Sequence, residues 1–552
     1  MNPEAKRLLM AFALTFGFLF LWSKYFAPKP QPVTAPTTTS SQTPAASSTA
    51  PIATITPSLT NVSQTTMAAA NVRQIPIETY QTQTNDLKGL FTNQSGALTS
   101  VQLTHYLKEQ GKEQNLISVV PLAENTKSPL LWDVSLRTSQ STQPQFSLQD
   151  QQTVYNWKEK SSTQVEFSTN LDPQIKVTKI YRMNSQPYVI DHILRIENQS
   201  SASYYVDAAT SLSATHDIKS KKKGFFMMLQ APAPDTSGVG YAHEESFHWS
   251  LDDFAKGKIN LNQTPIDWSG FASQYFLLTA IPVEGVWNDV KGVMQEDVAQ
   301  LNMSYPQRNL TPGSSIEYSV KLYAGPKQIE VLQSVHPTLD RSVDLGSWIG
   351  GLARLIHKLL TAIYKFIPNY GWAIIILTVL VRLAVFPLAQ MQAKSMKRMT
   401  QHKPAMDALK AKFANDKEAY SRELMSYMRT NRINPASGCL PLLIQFPVFI
   451  ALYRVLYNSI ELRHAPFGLW IHDLSAHDPF FVLPVLVGIT FYFQTKLNPT
   501  PMADPAQQTV MKIMPVLFSV FMIFLPSGLN LYIFVSTLWG IVQQYMVQKQ
   551  TT

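Results

Sequence analysis

One apolar stretch with a charge inside it constrains this chain more than any other feature. Residues 371–392 read GWAIIILTVLVRLAVFPLAQMQ, which as a helix can cross a bilayer core of roughly 30 Å. Arg382 lies within it, and an arginine at the centre of a spanning helix costs about 2.5 to 3.5 kcal/mol. Thr378 lies four residues earlier and shares its helix face. The stretch predicts a transmembrane helix with a polar stripe, unless Arg382 snorkels to the headgroups.

Composition indicates two unlike parts. Of 552 residues, 45% are hydrophobic and 15% are charged, and the apolar residues concentrate at the N-terminus and in the last third. A membrane protein with a large soluble insert fits this distribution. The formal net charge of +9 is modest for the length and comes without a nucleic-acid motif, so we expect no direct nucleic-acid binding. The single cysteine, Cys439, excludes an intrachain disulfide.

The first 70 residues predict an anchor followed by a tether. Lys6 and Arg7 precede a long apolar run that lacks a small-x-small cleavage site. Residues 1–26 are therefore predicted to form an uncleaved transmembrane anchor with a cytoplasmic N-terminus. Residues 27–70, which are rich in Pro, Thr, Ser, Ala and Gln, predict a disordered linker on the outer side.

Residues 71–340 predict a large exported β-sandwich. Short runs of alternating apolar residues, such as YVIDHILRIEN and IEYSVKLYAG, are separated by turn residues. His192 lies on the apolar side of the first run and is interpreted as a core histidine. The run from Lys219 to Lys223 is interpreted as a solvated loop. A carbohydrate-active sandwich stays open as an alternative, although no paired carboxylates have a spacing that argues for glycosidic chemistry.

Two segments that contain charged residues flank the apolar stretch at residues 371–392. Residues 344–367 predict an amphipathic interfacial helix, with Arg354, His357 and Lys358 on its polar side. Residues 391–436 predict a cytoplasmic helical hairpin that could contact lipid headgroups, a ribosome or a nascent chain. The basic residues singled out in it are Lys394, Lys397, Arg398, Lys403, Lys410 and Lys412.

The last third predicts five transmembrane helices in all. After the helix at 371–390, these are residues 439–458, 479–496, 510–526 and 529–547, with an outer loop at 459–478 and a cytoplasmic C-terminus. None of the four later spans has an acidic residue in its core, so Arg382 is expected to face neutral polar groups and water rather than an ion-pair partner. The histidines and aspartates of the outer loop match no defined ligand pattern, and no metal or cofactor is expected.

Four long motifs carry a close resemblance to a known family. GWAIIILTVLVRLAVFPL, NPASGCLPLLIQFPVFIALYRVL, ELRHAPFGLWIHDLSAHDPFFVLPVLVG and LPSGLNLYIFVSTLWGIVQQ occur in this order and resemble the YidC family of bacterial inner-membrane insertases. The resemblance spans the whole chain and implies the Gram-negative form, which is a multi-pass α-helical membrane protein with a large periplasmic β-sandwich. It implies six transmembrane helices, of which five form an insertase core around a hydrophilic groove.

The resemblance also implies a site and partners. Its groove residues would be Arg382, Thr378, Gln445, Tyr532 and Ser536, and its substrate-helix contacts would be Phe446, Phe449 and Ile533. Implied partners are nascent membrane proteins, the Sec translocon with its accessory subunits, the ribosome, the signal-recognition-particle receptor and the phospholipid bilayer. The implied function is insertion and folding assistance in the inner membrane, without catalysis. Family members with long basic tails use them toward the ribosome, whereas the tail here is short, with only Lys549 charged after Val547.

Two other classes of protein stay open on the residues alone. A transporter or channel would need a route open to both sides, and it usually has internal repeats or intramembrane carboxylates, neither of which is visible. A membrane-tethered sugar-binding domain would keep its activity in residues 75–326 alone.

Overall fold

The structure is a computed structural model. It describes residues 76–108, 116–119, 130–150, 153–183, 185–215, 236–295, 298–346, 349–413, 416–431, 440–497 and 505–549. The predicted anchor (1–26), the predicted linker (27–70) and the run from Lys219 to Lys223 lie outside these residues.

The first half of the described chain is built of strands. They are β1 Thr79–Gln83, β2 Leu87–Thr92, β3 Ala97–Leu107, β4 Leu116–Ser118, β5 Leu130–Arg137, β6 Phe146–Gln149, β7 Asn156–Lys160, β8 Gln164–Asp172, β9 Ile175–Met183, β10 Val189–Asn198, β11 Tyr204–Thr215, β12 Ser237–Ala242, β13 Glu245–Trp249, β14 Asn260–Leu261, β15 Trp268–Ala272, β16 Phe276–Pro282, β17 Asp289–Gln295, β18 Val298–Ser304, β19 Arg308–Leu310 and β20 Ser315–Pro326.

These strands form three antiparallel sheets. The largest has the order β13-β12-β15-β16-β20-β10-β9-β8-β7, and a second has the order β14-β17-β18-β11-β5-β6 with β19 paired to β11. Strands β1 to β4 form a small third sheet in sequence order. The two runs that predicted strands from their alternation, β10 and β20, are neighbours, with His192 opposite Val320. Their alternate residues are buried, as a half-buried strand requires.

The core lies between the two large sheets. Trp132 on β5 donates a hydrogen bond from Nε1 to His192 Nδ1 over 3.2 Å, which joins one sheet to the other. The His192 ring also stacks on Tyr181, with ring centroids 4.0 Å apart. Burial holds the pKa of His192 well below its usual range, and nearby Lys179 lowers it further. His192 is thus a buried core histidine, as predicted, and the two large sheets form a β-sandwich.

The second half of the described chain is helical. Its helices, together with two short ones that follow β13 and β20, are α1 Leu251–Ala255, α2 Ile329–Val335, α3 Gly350–Phe366, α4 Tyr370–Gln401, α5 Lys403–Lys412, α6 Lys417–Thr430, α7 Leu440–Asn458, α8 Val482–Leu497, α9 Pro505–Met522 and α10 Ser527–Lys549. Helix α10 packs against α4 and α8, and α8 packs against α9. The helix predicted at 371–390 and the first part of the predicted hairpin form one continuous helix, α4.

Helix α3 differs from its sequence prediction in which side is buried. The amphipathic pattern placed His357 on the polar side, but the structure buries it together with Ile356 and Leu360. His357 Nε2 lies 3.7 Å from Glu461 Oε1, which is beyond hydrogen-bonding distance but brings the two polar groups close together. Leu355 and Leu359 are exposed instead.

Candidate functional site: a polar stripe between two apolar helices

Helix α4 carries Thr378 and Arg382 within an apolar sequence. Its segment Tyr370–Pro387 has a mean hydropathy of 1.9 and is long and apolar enough to cross a membrane. Within the part of the chain that the structure describes, it is the one helix that meets both conditions. Shorter apolar helical segments are Phe446–Asn458, Val482–Leu497 and Ile513–Met522.

Arg382 pairs with a neutral side chain of the neighbouring helix. Its Nε donates to Ser536 Oγ on α10 over 2.9 Å, and one of its terminal nitrogens donates to the same oxygen. Arg382 is half-buried and Ser536 is buried. The sequences of α4 and of α7 to α10 contain no Asp or Glu, so no carboxylate from these helices neutralises the guanidinium. The guanidinium is therefore held by the hydroxyl group of Ser536 in an otherwise apolar region.

The other residues predicted for this stripe pack around that pair. Thr378 is 1% exposed and donates to Ile374 O over 2.6 Å, so its hydroxyl is satisfied by its own helix. Tyr532 and Ile533 lie one turn before Ser536 on α10, and both are buried. The structure thus brings Thr378, Arg382, Tyr532 and Ser536 to the contact of α4 with α10, where they form the polar stripe.

Helix α7 carries the two phenylalanines named as substrate-helix contacts. Phe446 is 56% exposed, whereas Phe449 is half-buried and packs against the core. Gln445 lies on the same helix, but its side chain is outside the described residues. Of this set, Phe446 presents a large apolar surface directly to its surroundings.

Two polar residues of α10, Thr537 and Trp539, were not predicted from the sequence. Thr537 and Thr490 share a hydrogen bond of 3.0 Å that joins α10 to α8. Trp539 Nε1 and Gln543 Nε2 are buried, and neither has a hydrogen-bond partner within the described part of the chain. Ser536, Trp539 and Gln543 recur at helical spacing, which is the signal that could have identified Trp539.

Helices α5 and α6 lie within residues 391–436, the segment predicted to form a hairpin, and they pack against each other. Met406 and Met428 are buried against each other with Leu424 and Tyr427, and His402 Nδ1 lies 2.8 Å from the Tyr427 hydroxyl. Lys403 is half-buried, while Lys410 and Lys412 are exposed. Lys394, Lys397 and Arg398 belong to α4, and their side chains are outside the described residues.

Asp478 at the end of the outer loop caps a helix. Its carboxylate accepts hydrogen bonds from Trp470 Nε1 at 3.0 Å, Phe480 N at 3.1 Å and Leu483 N at 2.7 Å. An aspartate that accepts backbone N–H groups at the start of α8 stabilises the helix N-terminus. This capping role accounts for Asp478, one of the residues weighed as a metal ligand.

Comparison with known proteins agrees with this architecture. The 60Kd inner membrane protein family matches residues 362–552, and the YidC periplasmic domain family matches residues 79–359. The membrane protein insertase YidC of Methylobacillus flagellatus is 33% identical over 572 residues, covering 99% of this chain and 98% of the relative. That of Citrifermentans bemidjiense is 33% identical over 546 residues, covering 99% of both.

A solved structure is similar as well. It is described as an active YidC insertase crystal structure with the first transmembrane domain resolved, and it has 19% identity and a TM-score of 0.36 over 85% of this chain and 94% of that one. The full-length relatives and the two adjoining domain matches together give the assignment: this chain belongs to the YidC family.

Proposed function

We propose that this protein inserts nascent membrane proteins into the bacterial inner membrane and that the polar stripe between α4 and α10 carries their hydrophilic flanks. The observation that carries the proposal is the Arg382 guanidinium bound to Ser536 Oγ between apolar helices that contain no carboxylate. A charge kept in such a place at a cost of several kcal/mol is normally retained for function. The YidC family consists of non-enzymatic insertases, so the proposed work is transfer without bond chemistry.

The mechanism follows from the energetics of polar groups in lipid. A client helix gains free energy when it enters the bilayer, but its hydrophilic flank loses hydrogen bonds to water while it crosses. Arg382 and the hydroxyls of Tyr532 and Ser536 offer replacement partners along that path. The guanidinium attracts acidic residues in the flank most strongly, because it is the charged member of the stripe. The exposed ring of Phe446 then contacts the apolar client helix.

The topology proposed for this work has six transmembrane helices. They are the N-terminal anchor and five core helices, which correspond to α4 and α7 to α10. The basic hairpin α5–α6 would be cytoplasmic under the positive-inside rule, which places the β-sandwich in the periplasm and both termini in the cytoplasm. Lys403, Lys410 and Lys412 of the hairpin are positioned for contact with acidic partners. The ribosome, the signal-recognition-particle receptor and the Sec translocon are the proposed partners.

Site-specific photo-crosslinking tests whether a client contacts the proposed site. A photoreactive residue at Phe446 would be compared with one at Ile489, which is exposed on α8 and serves as the lipid-facing control. The client is a ribosome-stalled small membrane protein in reconstituted vesicles. We expect adducts at Phe446 that disappear once the client is released into lipid. Equal adduct yields at both positions while the client still inserts would overturn the proposal.

Probes at Thr378 and Tyr532 add a second measurement. Both residues are buried between helices, so a client reaches them only when α4 and α10 move apart. Transient adducts at these positions would show that the stripe opens to the client. Their absence, with adducts at Phe446 present, would restrict client contact to the α7 surface.

A further inference from the structure

The outer loop contacts both helices that carry the polar stripe. At α4, Asn369 Nδ2 donates to Phe467 O over 3.1 Å, and the Phe467 ring packs edge-on against Trp372 with centroids 5.9 Å apart. Gly371 lets this ring come close, since a Cβ there would lie 2.0 Å from Phe467 Cδ2. The outer end of α4 is therefore fitted to Phe467.

The same loop fixes the outer end of α10. Gly528 N donates to Leu474 O over 2.8 Å, and Ser527 N donates to Ala476 O over 2.7 Å. The Ser527 hydroxyl also donates to Ala476 O over 2.8 Å. These bonds satisfy N–H groups that the first turn of a helix otherwise leaves unpaired.

The two contact points are tied to each other within the loop. Phe467 N donates to Ile471 O over 3.1 Å, and Leu474 N donates to Ala465 O over 3.0 Å. Phe467 and Leu474 consequently belong to one small hydrogen-bonded unit rather than to a free linker. On its far side, Arg463 donates to the carbonyl of Leu107 over 2.7 Å, which joins the unit to β3 of the small third sheet.

Equal spacing along the two helices connects this unit to the stripe. Ile374 meets Gly528 where α4 and α10 begin, since a Cβ on Gly528 would lie 3.4 Å from Ile374 Cδ1. Arg382 follows Ile374 by eight residues, and Ser536 follows Gly528 by eight residues. Both helices run in the same direction, so each reaches its stripe residue after about 12 Å. A slip of one residue would displace one partner by about 1.5 Å and rotate it by about 100°.

We infer that Phe467 is a positioning residue for insertion, because it seats the outer loop on α4 and so sets the register that brings Arg382 to Ser536. The inference rests on the proposed function for its effect on insertion, but the register itself can be measured separately. It also makes the outer loop a determinant of the site.

Distance measurement between spin labels tests the register. The chain's single cysteine, Cys439, is replaced by serine, and labels are attached to Met391→Cys on α4 and Tyr545→Cys on α10, which are both exposed positions. In nanodiscs, we expect Phe467→Ala to shift or broaden the distance distribution by about 1 to 2 Å, the scale of helix shifts in packed proteins. Leu469→Ala is the matched control, because Leu469 belongs to the same loop but is 87% exposed.

A second variant acts on the other side of the same contact. Gly371→Ala would place a methyl group against the Phe467 ring, so it should displace the loop even if Phe467→Ala does not fold. Insertion of a client with an acidic flank should fall at least about fivefold in both variants and stay unchanged in Leu469→Ala. An unchanged distance distribution in both variants overturns the inference, as does a shifted distribution with full insertion. If the unaltered protein gives no client adducts at Phe446, the result counts against the proposed function instead.

Discussion

The Nζ of Lys179 on β9 and the carboxylate of Asp150, which follows β6, form an ion pair that is completely buried where the two large sheets meet. Asp150 also accepts hydrogen bonds from Trp132 N and from the Tyr155 hydroxyl, both at 2.7 Å. Lys179 donates to Ser95 O over 2.8 Å and so reaches the small third sheet. Burial lowers the pKa of Lys179, while the neighbouring carboxylate opposes that shift.

Breaking this pair should destabilise the sandwich strongly. Lys179→Met leaves the Asp150 carboxylate buried without its cation, which typically costs about 3 to 5 kcal/mol in the free energy of unfolding. Denaturant unfolding of the full-length protein in nanodiscs, followed by tryptophan fluorescence, would measure the loss. The control is Lys176→Met on the same strand, whose partly exposed partner Glu197 lies 3.8 Å away. It should lose about 1 kcal/mol or less, and equal losses in the two variants would contradict the prediction.

Lys327 should make stability rise with pH in the alkaline range. It is buried at the end of β20, and burial lowers its pKa to about 8 although Asp344 acts in the opposite direction. Above that pH the folded protein carries a neutral Lys327, while the unfolded chain keeps the proton up to about pH 10.4. The unfolded state then binds more protons, so the free energy of unfolding increases with pH.

The pH dependence of the free energy of unfolding is compared between the unaltered protein and Lys327→Met. Between about pH 7.5 and pH 9.5 the unaltered protein should gain about 2 kcal/mol in the free energy of unfolding relative to this variant. Below about pH 7 the difference between the two should become constant, because folded and unfolded lysines are then both protonated. A difference that stays constant across the whole range would show that Lys327 keeps an ordinary pKa.

Gly488 should be intolerant of a side chain. A Cβ there would lie 2.7 Å from the Cβ of Ser519, where α8 crosses α9. Gly488→Ala should therefore force the helices apart and lower the free energy of unfolding by about 1 to 3 kcal/mol, as overpacking usually does. Thermal unfolding in nanodiscs would detect the change. Gly351→Ala is the control, since it faces open space on α3 and should be neutral or stabilising by up to about 1 kcal/mol.

Arg382 should matter most for clients with acidic flanks. Arg382→Ala removes a charge-assisted hydrogen-bond donor that contributes about 1.5 to 3 kcal/mol, so insertion of such a client should fall at least about tenfold. Arg382→Lys should retain part of the activity, and a client with a neutral flank should be affected less. Protease protection of a reconstituted client measures insertion, with Arg354→Ala on α3 as the control. An equal effect on both clients would argue against charge attraction.

The periodicity of apolar residues predicted the helices and strands better than it predicted which of them pack together. The alternation in β10 correctly placed His192 inside, because a strand with one buried face fixes which residues point inward. The order of the strands depends on non-local pairing, and nothing local in the sequence indicated that β5 would lie opposite β10 across the core. His357 was misplaced for a related reason, since its partner Glu461 lies in a distant segment.

The candidate site was predictable in part. Arg382 and Thr378 stood out because a charge and a hydroxyl on one face are unusual in an apolar helix. The pairing of Arg382 with Ser536 could not be derived from the residues alone, because it depends on the register of two helices that lie far apart in sequence. The role of the outer loop in that register could not be predicted from the sequence either.

The length of helix α4 and the proline inside it affect its rigidity. At 32 residues it is about 48 Å long, which exceeds the roughly 30 Å thickness of a bilayer core. Pro387 interrupts its ladder of hydrogen bonds five residues beyond Arg382. Helix α4 is therefore least rigid at Pro387, which lies between the hairpin and the turn that carries Arg382.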